Sequence, residues 1–135
     1  MTCLSLSTED RSRLLSAALE AVKRAYAPYS QFKVGAAVLT KKGNLFAGCN
    51  VENASYGLTI CAERVAIGSA VAAEGEEMEI HAIAVVNQQK VPCSPCGACR
   101  QVIFEFGVDA LVIFQGRESF TEMPAAELLP DGFRL

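Results

Sequence analysis

The chain has 135 residues, 51% hydrophobic and 20% charged, with a formal net charge of −3, so we expect residues 1–135 to form a single compact domain. The negative net charge argues against nucleic-acid binding, because contacts to phosphates need clustered Lys and Arg. The apolar runs are too short to span a membrane, and residues 1–10 lack the basic and apolar segments of a signal peptide. A cytoplasmic protein without membrane or nucleic-acid partners is therefore expected.

The first predicted element is an amphipathic helix. Ser7 or Thr8 can cap its start, since two acids follow them and apolar residues then recur at helical spacing. We expect the helix to run to about Ala25. Pro28 ends it, because a proline disfavours helical backbone at the residue before it.

The remaining patterns predict two strands, a helix, a strand, a helix and two more strands. The expected bounds are 31–40 and 45–49 for the first two strands, 61–75 for the second helix, 80–86 for the third strand, 96–106 for the third helix, 110–114 and 119–122 for the last strands, and 124–128 for a final helical turn. Gly35 removes side-chain bulk from the first strand and indicates that another group approaches its backbone closely. The expected fold class is α/β, a three-layer α/β/α sandwich with a mixed five-stranded sheet.

Six cysteines would allow a disulfide framework, but the pattern favours a metal site. The chain is large enough to fold without covalent crosslinks, and it shows no secretion signal. Cys61 stands alone, whereas Cys96 and Cys99 lie three positions apart. Cys3, Cys49 and Cys93 are interpreted as small buried hydrophobic residues, and the single histidine, His81, as structural.

Three cysteines, Cys61, Cys96 and Cys99, match zinc sites that have three protein ligands and keep one open position. Each predicted helix that carries them begins at a cysteine, and a helix N-terminus favours the ionised thiol. The ligand set is not unique, because Cys93 and Cys96 form a second pair with the same spacing.

Two charged residues next to Cys61 have predicted roles in the chemistry. Glu63 lies in the first helical turn, where its carboxylate can act as a general acid and base beside a metal. Three thiolates leave one excess negative charge on a zinc site, and Arg64 is the candidate that offsets it by donating hydrogen bonds to ligand sulfurs. The alternative for both is an exposed position on a helix surface.

Residues 26–133 resemble the small homotetrameric cytidine deaminases, and the similarity is carried by residues 29–37, 48–57, 61–64, 94–101 and 128–133. The resemblance implies a hydrolase with one Zn²⁺ per subunit that deaminates cytidine and deoxycytidine to uridine and deoxyuridine in pyrimidine salvage. In such a reaction Glu63 moves protons between the attacking water, ring N3 and the leaving amino group.

The resemblance also implies roles for residues that bind the nucleoside. Asn50 and Glu52 would hydrogen-bond the ribose 3′-hydroxyl, and Ala62 would offer its backbone N–H to O2 of the base. By the same resemblance, Phe32 would pack on the pyrimidine ring, and Phe133 would contribute its ring from a neighbouring subunit. Ala54 and Tyr56 would approach the 5′-hydroxyl from another subunit.

Other functions remain to be weighed against this one. Nucleotide and nucleic-acid deaminases generally carry His in place of Cys61 and need basic residues for phosphate, and residues 50–56 contain no Lys or Arg. Deamination of an aminonucleoside antibiotic is disfavoured by the Asn50 and Glu52 pair. A structural zinc protein would require Cys93 as a fourth ligand, and a pseudoenzyme would bind nucleosides without turnover.

Overall fold

The computed structural model describes residues 6–135, so Cys3 lies outside the described part of the chain. The helices are α1 (Thr8–Val22), α2 (Ala62–Glu74), α3 (Gly97–Phe106) and α4 (Ala125–Leu128). The strands are β1 (Val34–Thr40), β2 (Leu45–Cys49), β3 (Ile80–Asn87), β4 (Leu111–Gln115) and β5 (Phe120–Pro124). Two short 3₁₀ turns, Tyr56–Leu58 and Gly75–Glu77, were not predicted from the sequence.

The strands form one mixed sheet in the order β2-β1-β3-β4-β5. β1 pairs antiparallel with both β2 and β3, whereas β3 and β4 are parallel and β5 is antiparallel to β4. Because both neighbours of β1 run opposite to it, β2 and β3 point in the same direction. The helices that follow these two strands, α2 and α3, therefore begin at the same end of the sheet.

Apolar side chains cover both faces of the sheet. α1 packs on one face through a cluster that includes Leu14, Ala18, Val22, Ala37, Leu39, Ala82, Ala84 and Val86. α2, α3 and α4 cover the other face through a cluster that includes Ala36, Val38, Ala66, Ala70, Ile83, Val85, Ile103 and Leu128. Alternate residues of β1 and β3 thus enter opposite layers. The predicted three-layer α/β/α sandwich is confirmed. Within residues 6–135, no helix has the length and apolarity needed to cross a bilayer.

The end of α1 differs from the sequence prediction. The helix ends at Val22 instead of Ala25. The N–H groups of Lys23, Arg24 and Ala25 donate to carbonyls three residues earlier, at 3.3, 3.0 and 3.2 Å. This tighter turn satisfies the last carbonyls of the helix, and the polypeptide then turns toward Pro28.

The first residues of two helices also differ. Cys61 and Cys96 were predicted as the first helical residues, but both are N-caps with extended backbone, at φ −72°, ψ 152° and φ −67°, ψ 167°. In the sheet, β1 begins at Val34 instead of residue 31 and is preceded by Gln31, whose φ is 58°. The end of β1, the start of β3 and both ends of β2 have the predicted bounds, and the remaining strand ends differ by one or two residues.

Two glycines on neighbouring strands let helix backbones contact the sheet. A Cβ on Gly35 would collide with the carbonyl oxygen of Ala18 and lie 2.8 Å from Cγ2 of Val22, both in α1. A Cβ on Gly48 would collide with the N atom of Ala66 in α2. The close approach predicted at Gly35 is therefore made by α1, and Gly48 serves α2 in the same way on the opposite face.

Candidate metal centre and active site

Three cysteine sulfurs meet where α2 and α3 begin. Cys61 caps α2, Cys96 caps α3, and Cys99 lies in the first turn of α3. Their Sγ atoms all lie within 4.8 Å of one another, and the Sγ atoms of Cys61 and Cys96 are 4.0 Å apart. Because α2 and α3 start at the same end of the sheet, residues 35 positions apart reach one point.

The cluster fits zinc in its geometry and in its chemistry. Tetrahedral zinc with Zn–S bonds of about 2.3 Å places its sulfur ligands roughly 3.8 Å apart, close to the separation of Cys61 and Cys96. Thiolates are soft ligands that select zinc over hard cations such as magnesium. Within residues 6–135 these three cysteines form the one group of three or more potential ligand side chains that could hold a metal ion.

Arg64 is directed at the cluster. Its Nη2 atom donates a hydrogen bond to Sγ of Cys61 at 3.4 Å, and its half-buried side chain leaves Nε without a partner. A hydrogen bond from the Cys99 thiol, together with Arg64, lowers the pKa of Cys61 to about 5. The same hydrogen bond and burial raise the pKa of Cys99. Hydrogen bonds to Cys61 and Cys99 raise the pKa of Arg64, so the guanidinium keeps its charge.

Glu63 is buried beside these sulfurs, with only 4% of its surface exposed. Burial is the main reason that the pKa of its carboxyl is raised to about 7. A carboxyl group with a pKa near neutrality can both accept and donate a proton under physiological conditions. The exposed helix position that was the alternative for Glu63 is therefore wrong.

A cavity of about 270 Å³ opens next to Glu63 and the cysteines. Its lining residues are Ser30, Phe32, Val34, Asn50, Glu52, Thr59, Cys61, Ala62, Glu63, Val85, Cys93 and Cys96. It lies at the end of the sheet where β2 and β3 finish, and among residues 6–135 no Lys or Arg lines it. A larger groove of about 640 Å³ lies at the opposite end, is lined by both acidic and basic residues and includes none of the cysteines.

Four of the predicted substrate-binding residues lie in this cavity. Phe32 is half-buried in its wall. Ala62 is fully buried and is the first residue of α2, where a backbone N–H has no partner within the helix. Asn50 and Glu52 complete the set. The first turn of α2 thus brings Glu63 and a free N–H to the same space.

Asn50 and Glu52 also form hydrogen bonds within the chain. The Asn50 side chain accepts from the N–H of Val34 at 2.9 Å and donates to the carbonyl of Phe32 at 2.8 Å. Glu52 accepts from the Ser30 hydroxyl and from the Ser30 N–H at 3.1 Å. Hydrogen bonding to Ser30 lowers the pKa of Glu52, so its carboxylate is ionised. These bonds hold residues 30–34 in place along the cavity.

Three predicted substrate-binding residues lie outside this cavity. Ala54 is exposed, and Tyr56 and Phe133 are 75% and 66% exposed. The Tyr56 ring contacts Tyr29 edge-on, with centroids 6.1 Å apart. The carbonyl of Phe133 accepts a hydrogen bond of 3.3 Å from the Gln101 side chain. Their own chain therefore does not place these side chains beside Glu63.

Within residues 6–135, the other cysteines and the histidine do not belong to the three-sulfur group. Cys93 is half-buried in the cavity wall, and burial raises the pKa of its thiol. Cys49, at the end of β2, is also half-buried, so neither residue has the full burial predicted for it. His81 is the second residue of β3 and is half-buried.

Sequence reasoning missed two polar residues of the site, Ser30 and Thr59. Both line the cavity, and Ser30 binds Glu52. Ser30 follows Pro28 and Tyr29 in a segment with turn composition, a signal that indicates a loop but not a contact with residue 52. Arg100 was also missed, although it immediately follows Cys99.

Comparison with known proteins identifies this arrangement. Residues 8–115 match the family model described as the cytidine and deoxycytidylate deaminase zinc-binding region. The cytidine deaminase of Halalkalibacterium halodurans is 47% identical over 126 residues, which cover 92% of this chain and 94% of that protein. The blasticidin-S deaminase of Bacillus cereus is 30% identical over 137 residues, covering 96% of each chain.

A solved structure gives the same result. The crystal structure of cytidine deaminase from Burkholderia pseudomallei superimposes with a TM-score of 0.82 at 48% identity, covering 95% of this chain and all of that one. The cytidine deaminase structure from Mycobacterium tuberculosis has a TM-score of 0.81 at 39% identity, covering 93% of this chain and 98% of that one. The chain belongs to the cytidine and deoxycytidylate deaminase family.

Proposed function

We propose that this protein catalyses the zinc-dependent hydrolytic deamination of cytidine and deoxycytidine to uridine and deoxyuridine with release of ammonia. The observation that carries the proposal is the buried Glu63 carboxyl, which lies next to three clustered cysteines in a cavity without basic side chains. Residues 1–135 act as one catalytic domain, and the reaction belongs to pyrimidine salvage in the cytoplasm.

In this proposal Cys61, Cys96 and Cys99 hold one Zn²⁺ per subunit. When bound, zinc acts as a Lewis acid that makes water nucleophilic near neutral pH. Arg64 offsets the excess negative charge of three thiolates through its hydrogen bond to Cys61. Ligands from α2 and α3 join the two helices on one face of the sheet.

Glu63 moves the protons of the reaction. Its carboxylate takes a proton from the attacking water and delivers it to ring N3 of the cytosine, which makes C4 more electrophilic. After the hydroxyl group has added to C4, the same carboxylate takes the remaining proton of that hydroxyl and delivers it to the amino group. The C4–N bond then breaks, ammonia leaves and C4 becomes a carbonyl. A carboxyl whose pKa is raised to about 7 by burial suits both directions of transfer.

The nucleoside is bound by residues of the same cavity. The Ala62 N–H donates to O2 of the base, and Phe32 packs against the pyrimidine ring. Asn50 and Glu52 hydrogen-bond the ribose 3′-hydroxyl, since an amide and a carboxylate together offer it a donor and an acceptor. Both side chains are already held by contacts to residues 30–34, so they are ordered before substrate binds.

The complete site is shared between subunits of a homotetramer. Ala54 and Tyr56 approach the 5′-hydroxyl from one neighbouring subunit, and Phe133 contributes its ring from another. Their exposure supports this part of the proposal, because large exposed aromatic residues often mark protein interfaces.

Free nucleosides are favoured over nucleotides because the cavity has no Lys or Arg to bind a phosphate. An antibiotic nucleoside is a second candidate, supported by the 30% identity to a blasticidin-S deaminase. Cytidine is preferred because the more similar relatives are named cytidine deaminase.

The test follows the ultraviolet absorbance of cytidine mixed with purified, zinc-assayed protein, in parallel with Glu63→Ala. We expect loss of the cytidine band with stoichiometric ammonia in the wild type. The variant should bind zinc fully and lose at least about 100-fold in turnover, the minimum expected from a general acid and base. Deoxycytidine, cytidine monophosphate and blasticidin S are compared under the same conditions.

Two results would contradict the proposal. Zinc-loaded wild-type protein that leaves cytidine and deoxycytidine unchanged would reject the reaction. Substantial turnover by Glu63→Ala would reject the role of the carboxylate while keeping the reaction.

A further inference from the structure

The Arg100 side chain turns back toward the start of α3 and connects three parts of the chain. Its Nε atom donates to the Pro95 carbonyl at 2.8 Å, and its Nη2 atom donates to the Ser94 hydroxyl at 2.8 Å. Its Nη1 atom donates to the carbonyl of Leu128, the last residue of α4, at 3.0 Å. One guanidinium therefore binds the loop before Cys96 and the end of α4 at once.

The contact with Pro95 constrains the ligand that follows it. The Pro95 carbonyl belongs to the peptide plane that joins Pro95 to Cys96. Because that plane is rigid and contains the N and Cα atoms of Cys96, holding its oxygen fixes the point from which the Cys96 side chain starts. The Pro95 ring is fully buried, which anchors the other side of the same peptide.

Cys96 needs this constraint more than the other two cysteines. Cys99 is buried within α3, and the sulfur of Cys61 accepts a hydrogen bond from Arg64. Cys96 is exposed and has the extended backbone of a cap, so little packing orients its side chain. Its Sγ accepts a capping hydrogen bond from the N–H of Cys99 at 3.5 Å, whose geometry depends on where the backbone of Cys96 lies.

We propose that Arg100 is a positioning residue for the metal site, which holds the loop at residues 94–95 so that Cys96 is presented to zinc. It acts through backbone and hydroxyl acceptors and touches neither the metal nor the substrate. A lysine cannot replace it, because three acceptors in different directions match the planar fork of a guanidinium and not a single ammonium. The inference rests on the zinc site of the proposed function.

The test measures zinc affinity by competition with a chromophoric chelator, using Arg100→Lys, Ser94→Ala and Gln101→Ala. Arg100→Lys keeps the charge and should weaken zinc binding by about 10- to 100-fold, the usual effect of losing a residue that orients a ligand. Ser94→Ala removes one acceptor and should give a smaller loss in the same direction. Gln101→Ala is the matched control, since its side chain binds the Phe133 carbonyl and not the cysteine loop, and it should keep wild-type zinc affinity.

Circular dichroism checks that each variant is folded. If Arg100→Lys does not fold, the proposal is tested by comparing the zinc affinity of Ser94→Ala with that of Gln101→Ala. Wild-type zinc affinity in folded Arg100→Lys would overturn the proposal. An equal loss in Gln101→Ala would also overturn it, because the effect would then come from loosening of residues 128–133. Zinc affinity is measured without substrate, so a failure of the proposed deamination leaves this result unaffected.

Discussion

The guanidinium of Arg64 lies 3.4 Å from the sulfur of Cys61, which it reaches from the first turn of α2. We expect a positive charge at this distance to draw electron density from a thiolate ligand and so to preserve the pull of a bound metal on water. Arg64 is not among the residues that line the cavity, but this hydrogen bond connects it to Cys61, which is.

Arg64→Gln should retain zinc but lose about 10- to 100-fold in kcat, because the excess negative charge of the ligands is no longer offset. The measurement is steady-state turnover of cytidine at matched zinc content. Arg64→Lys, which restores the charge, should recover part of the loss. Equal activity of Arg64→Gln and wild type would show that the hydrogen bond has no catalytic effect.

Cys99→Ala should lose stoichiometric zinc, because Cys99 is the buried member of the cluster and the remaining two sulfurs cannot form a three-ligand site. Thermal unfolding should also begin at a lower temperature than for the zinc-loaded wild type, since metal binding stabilises the folded state. Cys93→Ala is the control and should keep its zinc. The reverse pattern of zinc content would make Cys93 the ligand.

Gly48→Ala should destabilise the protein by about 1–3 kcal/mol, because the added methyl group would collide with the backbone of α2. The displaced helix carries Glu63, so kcat should fall as well. Gly68→Ala is a matched control in α2, since its methyl group would meet no atom within 4 Å. That variant should be about 0.5–1 kcal/mol more stable by chemical denaturation. Equal stability of the two variants would contradict the close contact at Gly48.

Phe133→Ala should reduce kcat/KM by about 2- to 10-fold if its ring stacks on the substrate in a neighbouring subunit. Oligomers reassembled from Glu63→Ala and Phe133→Ala subunits should regain sites in which both residues are intact, and with them the wild-type KM. Activity equal to the average of the two separate variants would show that each subunit has an independent site.

The stability of the β1–β2 turn should depend on the ionisation of Glu74. Its carboxylate accepts from the Asn44 side chain and the Thr40 hydroxyl, both at 2.7 Å, and hydrogen bonding to Asn44 is the largest cause of its lowered pKa. A carboxyl whose pKa is lower in the folded state stabilises the protein above its unfolded pKa, about 4.3 for glutamate, and loses that contribution as the pH falls through the folded value.

Glu74→Gln should therefore show a smaller loss of stability than the wild type between neutral pH and about pH 3. Chemical denaturation at a series of pH values checks this, with Glu127→Gln as the exposed control. Parallel pH profiles for wild type and Glu74→Gln would show that these hydrogen bonds do not favour the ionised form.

Much of the fold followed from local patterns. The bounds of β2 were predicted correctly, and the apolar run at residues 80–86 identified β3 because a central strand buried on both faces leaves few alternatives. The predicted end of α1 was wrong because Ala25 fits the helical pattern of apolar residues. The Tyr26 N–H instead donates to the Asn50 carbonyl, a contact that the sequence does not reveal.

The residues expected to bind metal or move protons were predictable from residue type and spacing, whereas the residues that hold others in place were not. Their spacing identified Cys61, Cys96, Cys99 and Glu63 as candidate site residues, and the structure brings them together beside one cavity. The contact of Ser30 with Glu52 joins residues 22 positions apart, and Arg100 reaches 28 positions to Leu128. Such contacts are determined by packing of the whole chain and leave no local pattern.

Gly35 and Gly48 lie on adjacent strands, with α1 against one and α2 against the other. At this point only a single layer of backbone separates the two helices, with no flexible side chain to absorb a displacement. Since packed interiors have low compressibility, we expect the sandwich to resist deformation close to the turn that carries Glu63. We therefore expect a strain applied to α1, on the far side of the sheet, to reach the Glu63 carboxyl with little damping.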